Sequence, residues 1–87
     1  MPNVTIYTTG FCPFCYHAKK LLDSKGVPFD EIDVNMTPGA RQEMMQRANV
    51  GHTLPQIFIG ETHVGGCDEL YDLEQQARLD FLLNPQG

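Results

Sequence analysis

Val4-Thr5-Ile6-Tyr7-Thr8-Thr9-Gly10-Phe11-Cys12-Pro13-Phe14-Cys15 carries a strand pattern straight into a helix start. Val4 to Thr8 are β-branched or aromatic, with apolar side chains at alternate positions, as a strand requires. Beyond Pro13, the residues Cys15, Ala18, Leu21 and Leu22 share one helical face, with His17, Lys20 and Asp23 off it. Cys12 therefore falls at or beside an N-cap, and Pro13 at the first helical position, where its missing N–H costs nothing. A thiol so placed faces free backbone N–H groups and the positive end of the helix dipole, both of which favour its thiolate. Cys12 and Cys15, three residues apart, lie on one face within disulfide reach. The stretch is a redox site in outline.

Outward from it, Gly26 supplies a C-terminal cap and Pro28 prevents the first helix from continuing. Residues 27–34 alternate as a second strand, expected to pair parallel with the first through a right-handed crossover. Thr37-Pro38 predicts a second helix start, with Arg41, Met44, Met45 and Ala48 on one face and an end before Gly51; the methionines fit as core filling. Gln56 to Ile59 and Thr62 to Val64 flank Gly60-Glu61, a hairpin signal. Gly65-Gly66 breaks the strand. A helix is predicted from about Cys67, with Leu70, Tyr71, Leu73 and Ala77 inward, then a last segment near Arg78 to Leu83. The order β-α-β-α-β-β-α-α, without repeat or linker, predicts one α/β domain over residues 1–87, with a mixed sheet of four strands.

Eighty-seven residues lie near the lower limit for a self-sufficient core, and 41% apolar with 20% charged residues argues against disorder. Nothing in the sequence is long and apolar enough to span a membrane, and Met1-Pro2-Asn3 lacks the layout of a signal peptide, so a cytoplasmic protein is expected. Residues 1–60 carry five basic and five acidic groups, whereas residues 61–87 carry six acids against Arg78 alone. No basic stripe exists, which excludes a nucleic-acid partner. The acidic last third reads as a solvated face. Three cysteines are an odd number for a disulfide framework, so chemistry or metal is the better reading. Zinc would need two further ligands, and Cys67 with His17, His52 or His63 could supply them only through tertiary proximity; no metal is expected.

A stabilised thiolate gains population but loses intrinsic nucleophilicity, at a Brønsted slope of about 0.4–0.5. Cys12 therefore gains little as an attacker and much as a leaving group. That property suits turnover of a mixed disulfide.

Three separated motifs carry a resemblance to the dithiol glutaredoxins, running from about Val4 to Leu83. Cys12-Pro13-Phe14-Cys15 is close to that family's C-P-Y-C. Thr53-Leu54-Pro55, with the strand after it, is similar to the T-V-P segment, and Gly65-Gly66-Cys67-Asp68 is the third. The resemblance implies a thioredoxin-like fold with helices on both faces of the sheet. It implies a glutathione-dependent oxidoreductase that reduces glutathione mixed disulfides and protein disulfides as a monomer, with no tightly bound cofactor. Cys12 would be the nucleophile that takes up the glutathionyl group, and Cys15 would resolve it or serve only on protein disulfides. Pro55 would be the family's cis-proline, and Leu54 would offer backbone groups to the cysteine of glutathione. Phe14, Thr53, Gly66, Cys67 and Asp68 would complete the glutathione site. The free N–H groups of the Gly66-Cys67-Asp68 helix start suit the γ-glutamyl carboxylate, and Asp68 suits the adjacent ammonium. Cys67 reads first as a small buried residue, and Phe14 as an apolar rim.

Two positions depart from the family pattern. Thr9 stands where a lysine is usual, and Gly51 where a basic residue is common, which weakens the expected hold on the glycyl carboxylate. Lys19, Lys20, Arg41, Arg47 and His52 are the available substitutes. Monothiol relatives with C-G-F-S hold a [2Fe–2S] cluster between two chains, but Pro13 and Cys15 speak against that role here. A thioredoxin-type reductant fed by a flavoprotein is disfavoured by the central Pro-Phe, the absence of Trp and the Gly66-Cys67-Asp68 motif.

Overall fold

Why the reactive loop sits where it does follows from the sheet. The computed structural model describes residues 2–48 and 53–84. Its elements are β1 (Val4–Thr8), α1 (Pro13–Ser24), β2 (Asp30–Asp33), α2 (Ala40–Arg47), β3 (Gln56–Ile59), β4 (Thr62–Gly65), α3 (Cys67–Gln75) and α4 (Leu79–Leu83). Among the described residues the strands form one sheet in the order β2-β1-β3-β4. β1 pairs parallel with β2 and antiparallel with β3, and β3 pairs antiparallel with β4. The sheet is mixed, as its connections require: a helix between β1 and β2, a tight turn between β3 and β4.

Strand alternation divides the core in two. Val4, Ile6, Ile57 and Ile59 point to one face and meet Ala18, Leu21 and Leu22 of α1, Leu70 of α3, and Leu79 and Leu83 of α4. Tyr7 and Phe58 point to the other face and meet Ala40 and Met44 of α2 with Val34 and Ala48. The second layer also carries a polar tie. The Tyr7 hydroxyl donates to Glu43 Oε1 at 2.8 Å, accepts from Arg47 Nη1 at 3.0 Å, and burial raises its pKa. Arg47 lies 4.3 Å over the Phe58 ring, a cation–π contact that fixes α2 against the sheet.

Three sequence expectations change. The second strand begins at Asp30 rather than Val27. The register pairs Thr5 with Asp30, so Val27 and Pro28 fall level with Pro2 and Asn3, ahead of β1, and neither proline has an N–H to share. The second helix begins at Ala40, with Gly39 at φ +79° as N-cap. Thr37 and Pro38 belong instead to a turn held by Asp33, whose carboxylate accepts the Asn35 and Met36 amides and whose carbonyl accepts the Thr37 amide. Ala77 lies beyond α3 at φ +59° and is exposed, and Tyr71 faces outward to donate its hydroxyl to the His17 carbonyl at 3.2 Å. Within the described residues, no helix is long and apolar enough to cross a membrane.

Candidate active site

Cys12 is the N-cap of α1, with Pro13 in the first helical turn. Its Sγ accepts the Cys15 backbone N–H at 3.1 Å. The cap that a serine or aspartate oxygen usually supplies is here a sulfur, which spends its acceptor capacity on a helix-terminal amide. Phe11, at φ +56°, is fully exposed on the approach to Cys12. Cys15 begins the buried face of α1, and both thiols are free, as is Cys67.

The two thiols of the pair are not equivalent. Burial first, then the hydrogen bond and charge of Cys12, together push the Cys15 thiol up to about 12. The Thr9 backbone and the Lys19 ammonium oppose this. Cys15 is therefore neutral at physiological pH while Cys12 stands free beside it. Once Cys12 is tied up in a mixed disulfide, its charge and its hydrogen bond no longer oppose ionisation of Cys15.

Phe14, Thr53, Leu54, Pro55, Gly66, Cys67 and Asp68, seven residues expected from the motifs, line one cleft of about 370 Å³, joined by Glu69. Three chain segments meet there. The Leu54–Pro55 peptide bond is cis. Gly66 packs so closely that a Cβ would come within 3.3 Å of the Pro55 carbonyl oxygen, which holds the α3 start against the loop before β3. Cys12, Pro13 and Cys15 line a second cleft of about 530 Å³ with Thr9, Phe11, Lys19, Glu31 and Asp33. Pro13 lines this second cleft, and Phe14, the next residue, lines the first. The Cys67 thiol is raised by burial and by the charges of Asp68, Cys12 and Glu69, which keeps it a neutral wall of the site. Among the described residues no group of three His, Cys, Asp or Glu side chains could hold a metal ion.

Glu69 is the site residue that the motif reading missed. Its Oε1 accepts the Gly66 N–H at 2.7 Å, so one amide of the helix start is already taken. The signal was legible: Gly66 followed three residues later by Glu69 has capping-box spacing. Because Glu69 does the capping, Asp68 is free of that task. No hydrogen bond or ion pair among the described residues engages its carboxylate, which is exposed on the cleft. Gly65, at φ +114°, lies against the same side chain, and a Cβ there would meet Glu69 Oε1 at 2.8 Å. Gly65→Ala is expected to lower stability by roughly 2 kcal/mol, or about 10 °C in Tm by thermal denaturation. A melting temperature equal to the parent's would show that Glu69 yields freely.

The substitute cations can also be placed. Lys19 pairs with Glu31, Lys20 sits over the Tyr16 ring, and Arg47 is held by Tyr7 and Phe58. Arg41 donates to Asn35 Oδ1 at 3.3 Å, and Asn35 in turn donates to the Thr9 hydroxyl. Arg41 is thus the cation linked to the Thr9 end of the site. Gly51 and His52 lie outside the described residues.

Comparison with known proteins gives the same family throughout. The family model described as glutaredoxin matches residues 4–64. A glutaredoxin of Pseudomonas aeruginosa is 54% identical over 84 residues, covering 97% of this chain and 99% of the relative. Glutaredoxin 3 of Escherichia coli K12 is 49% identical over 83 residues, covering 95% and 99%. The solution structure of a glutaredoxin from Brucella melitensis superposes with a TM-score of 0.83 at 52% identity, over 100% of this chain and 94% of that one.

Proposed function

This chain belongs to the glutaredoxin family, a thioredoxin-like fold that performs glutathione-dependent thiol–disulfide exchange, and on that premise we propose that Cys12 is the thiol that carries the glutathionyl group. The observation that supports this most is its place as N-cap, with Sγ accepting the Cys15 amide, in the cleft it shares with Cys15. The Cys12 thiolate attacks the glutathionyl sulfur of a mixed disulfide. The target leaves as a thiolate and takes a proton from water. A second glutathione then attacks the glutathionyl sulfur, and Cys12 departs as a thiolate held by the Cys15 amide, releasing glutathione disulfide. On a protein disulfide, Cys15 instead attacks Cys12 and frees the target.

For glutathione we assign the cleft of Phe14, Thr53, Leu54, Pro55, Gly66, Cys67 and Asp68. Leu54 offers backbone groups to its cysteine, and the remaining amides of the α3 start face its γ-glutamyl carboxylate. Asp68 takes the ammonium, and Arg41, linked through Asn35 to Thr9, is the cation for the glycyl carboxylate. One domain, acting as a monomer in a reducing cytoplasm on glutathionylated and disulfide-bearing proteins, suffices for this chemistry. No tightly bound cofactor enters it.

The test is steady-state turnover of a glutathionylated peptide with glutathione as the sole reductant. Asp68→Asn removes a charge-assisted hydrogen bond, and is expected to raise the glutathione KM about 5–20-fold with kcat little changed. An unchanged KM would remove Asp68 from the site.

A further inference from the structure

Lys19 stands one helical turn after Cys15 on α1, so the two side chains share a face. A lysine on a surface helix normally samples many rotamers, but this one is tied across the sheet. Its Nζ lies 2.9 Å from Glu31 Oε2 on β2, and the same oxygen accepts the hydroxyl of buried Thr8 on β1 at 2.9 Å. Lys19 and Glu31 line the cleft that holds Cys12 and Cys15. The pair is partly exposed, and such ion pairs contribute little to stability. Its placement therefore asks for another explanation.

We propose that Lys19, tethered by Glu31, is a positioning residue for the resolving step, its ammonium favouring the Cys15 thiolate as that thiol attacks a mixed disulfide on Cys12. This rests on the reading of Cys12 as the carrier. Cys15 gives its proton to water in the cleft, and its sulfur bonds to Cys12 Sγ. The bond from Cys12 to the bound thiol breaks, and the electron pair leaves with that thiol, which is protonated by water. The bound thiol is reduced and the Cys12–Cys15 pair is oxidised. The other charged and titratable groups lining the cleft are Tyr16 of α1 and Glu31 and Asp33 of β2, with Cys67 of α3 beside Cys12. Lys19 supplies the one cation among them, and it is among the influences that lower the Cys15 proton affinity.

An ammonium one helical turn from a thiolate, in a partly solvated cleft, is expected to move its titration by about half to one pH unit. The rate follows less steeply, because a more basic thiolate is also more nucleophilic. The experiment loads Cys12 of the full-length protein with thionitrobenzoate and follows release of the chromophore by Cys15 in stopped flow, from pH 6 to 10. Lys19→Met should slow release about threefold at neutral pH and displace the profile upward by about half to one unit. Lys19→Arg should restore the parent profile, since the charge remains. Superimposable profiles for Lys19→Met and parent overturn the proposal while leaving Cys12 as carrier. A parent protein that never loads the label on Cys12 overturns both.

Discussion

Cys12→Ser is expected to bring glutathione-dependent reduction of a glutathionylated peptide down to the uncatalysed rate, a loss of about 10³-fold or more. The hydroxyl is not ionised at neutral pH and cannot form a disulfide, so both halves of the exchange stop. Serine oxygen is also a good N-cap, so it keeps a bond to the Cys15 amide and α1 stays capped. The loss is then chemical rather than structural, and an unchanged melting curve checks this. Cys15→Ser is expected to stay within about threefold of the parent on the same peptide, because glutathione itself discharges Cys12. On a protein disulfide, the same variant should accumulate the mixed disulfide with Cys12, visible as a covalent adduct on non-reducing gels. A Cys12→Ser protein that kept half the parent activity would move the chemistry to another thiol.

The second large effect concerns α3. Leu70 is fully buried beneath the first turn of that helix, packed into the cluster that joins α1, α3, α4 and the sheet. Leu70→Ala removes its packing and leaves a cavity, at a cost of about 3 kcal/mol. Small domains have roughly 5–15 kcal/mol in all, so this takes a large share. The expected drop in Tm is roughly 12–24 °C by calorimetry or circular dichroism. Because Gly66, Cys67 and Asp68 form the start of the same helix, the glutathione KM should rise with the loosening, well below the melting temperature. A drop of only a degree or two would mean that α3 is held by its neighbours rather than by Leu70.

Much of this was legible because local and tertiary demands agree. β1, β3 and the buried face of α1 are written in alternating or helical apolar residues, and the structure buries Val4, Ile6, Ile57, Ala18, Leu21 and Leu22 accordingly. The N-cap place of Cys12 could be read from Pro13 alone. What escaped was set by strand register, by local turn hydrogen bonds and by ties between elements, none of which apolar periodicity shows. Val27 and Phe29 alternate like strand residues, yet the register starts the ladder at Asp30. Thr37-Pro38 looks like a helix start until the Asp33 carboxylate claims that turn. Ala77 continues a helical period that the chain abandons at Gln76. In the site, the three motifs named the cleft residues, but the Lys19–Glu31 tie and the Arg41–Asn35–Thr9 chain join different elements, and no periodicity announces them.

The sheet order β2-β1-β3-β4 gives the two halves of the site unequal footing. β1 is bonded along both edges, and the loop bearing Cys12 leaves directly from its end. β4 is an edge strand, and it leads into the α3 start that walls the other cleft. Local opening is expected first at strands held on one side only, such as β4, and last at β1, from which the Cys12 loop leaves. Motion on that side would leave fastened the strand from which the reactive atom is hung.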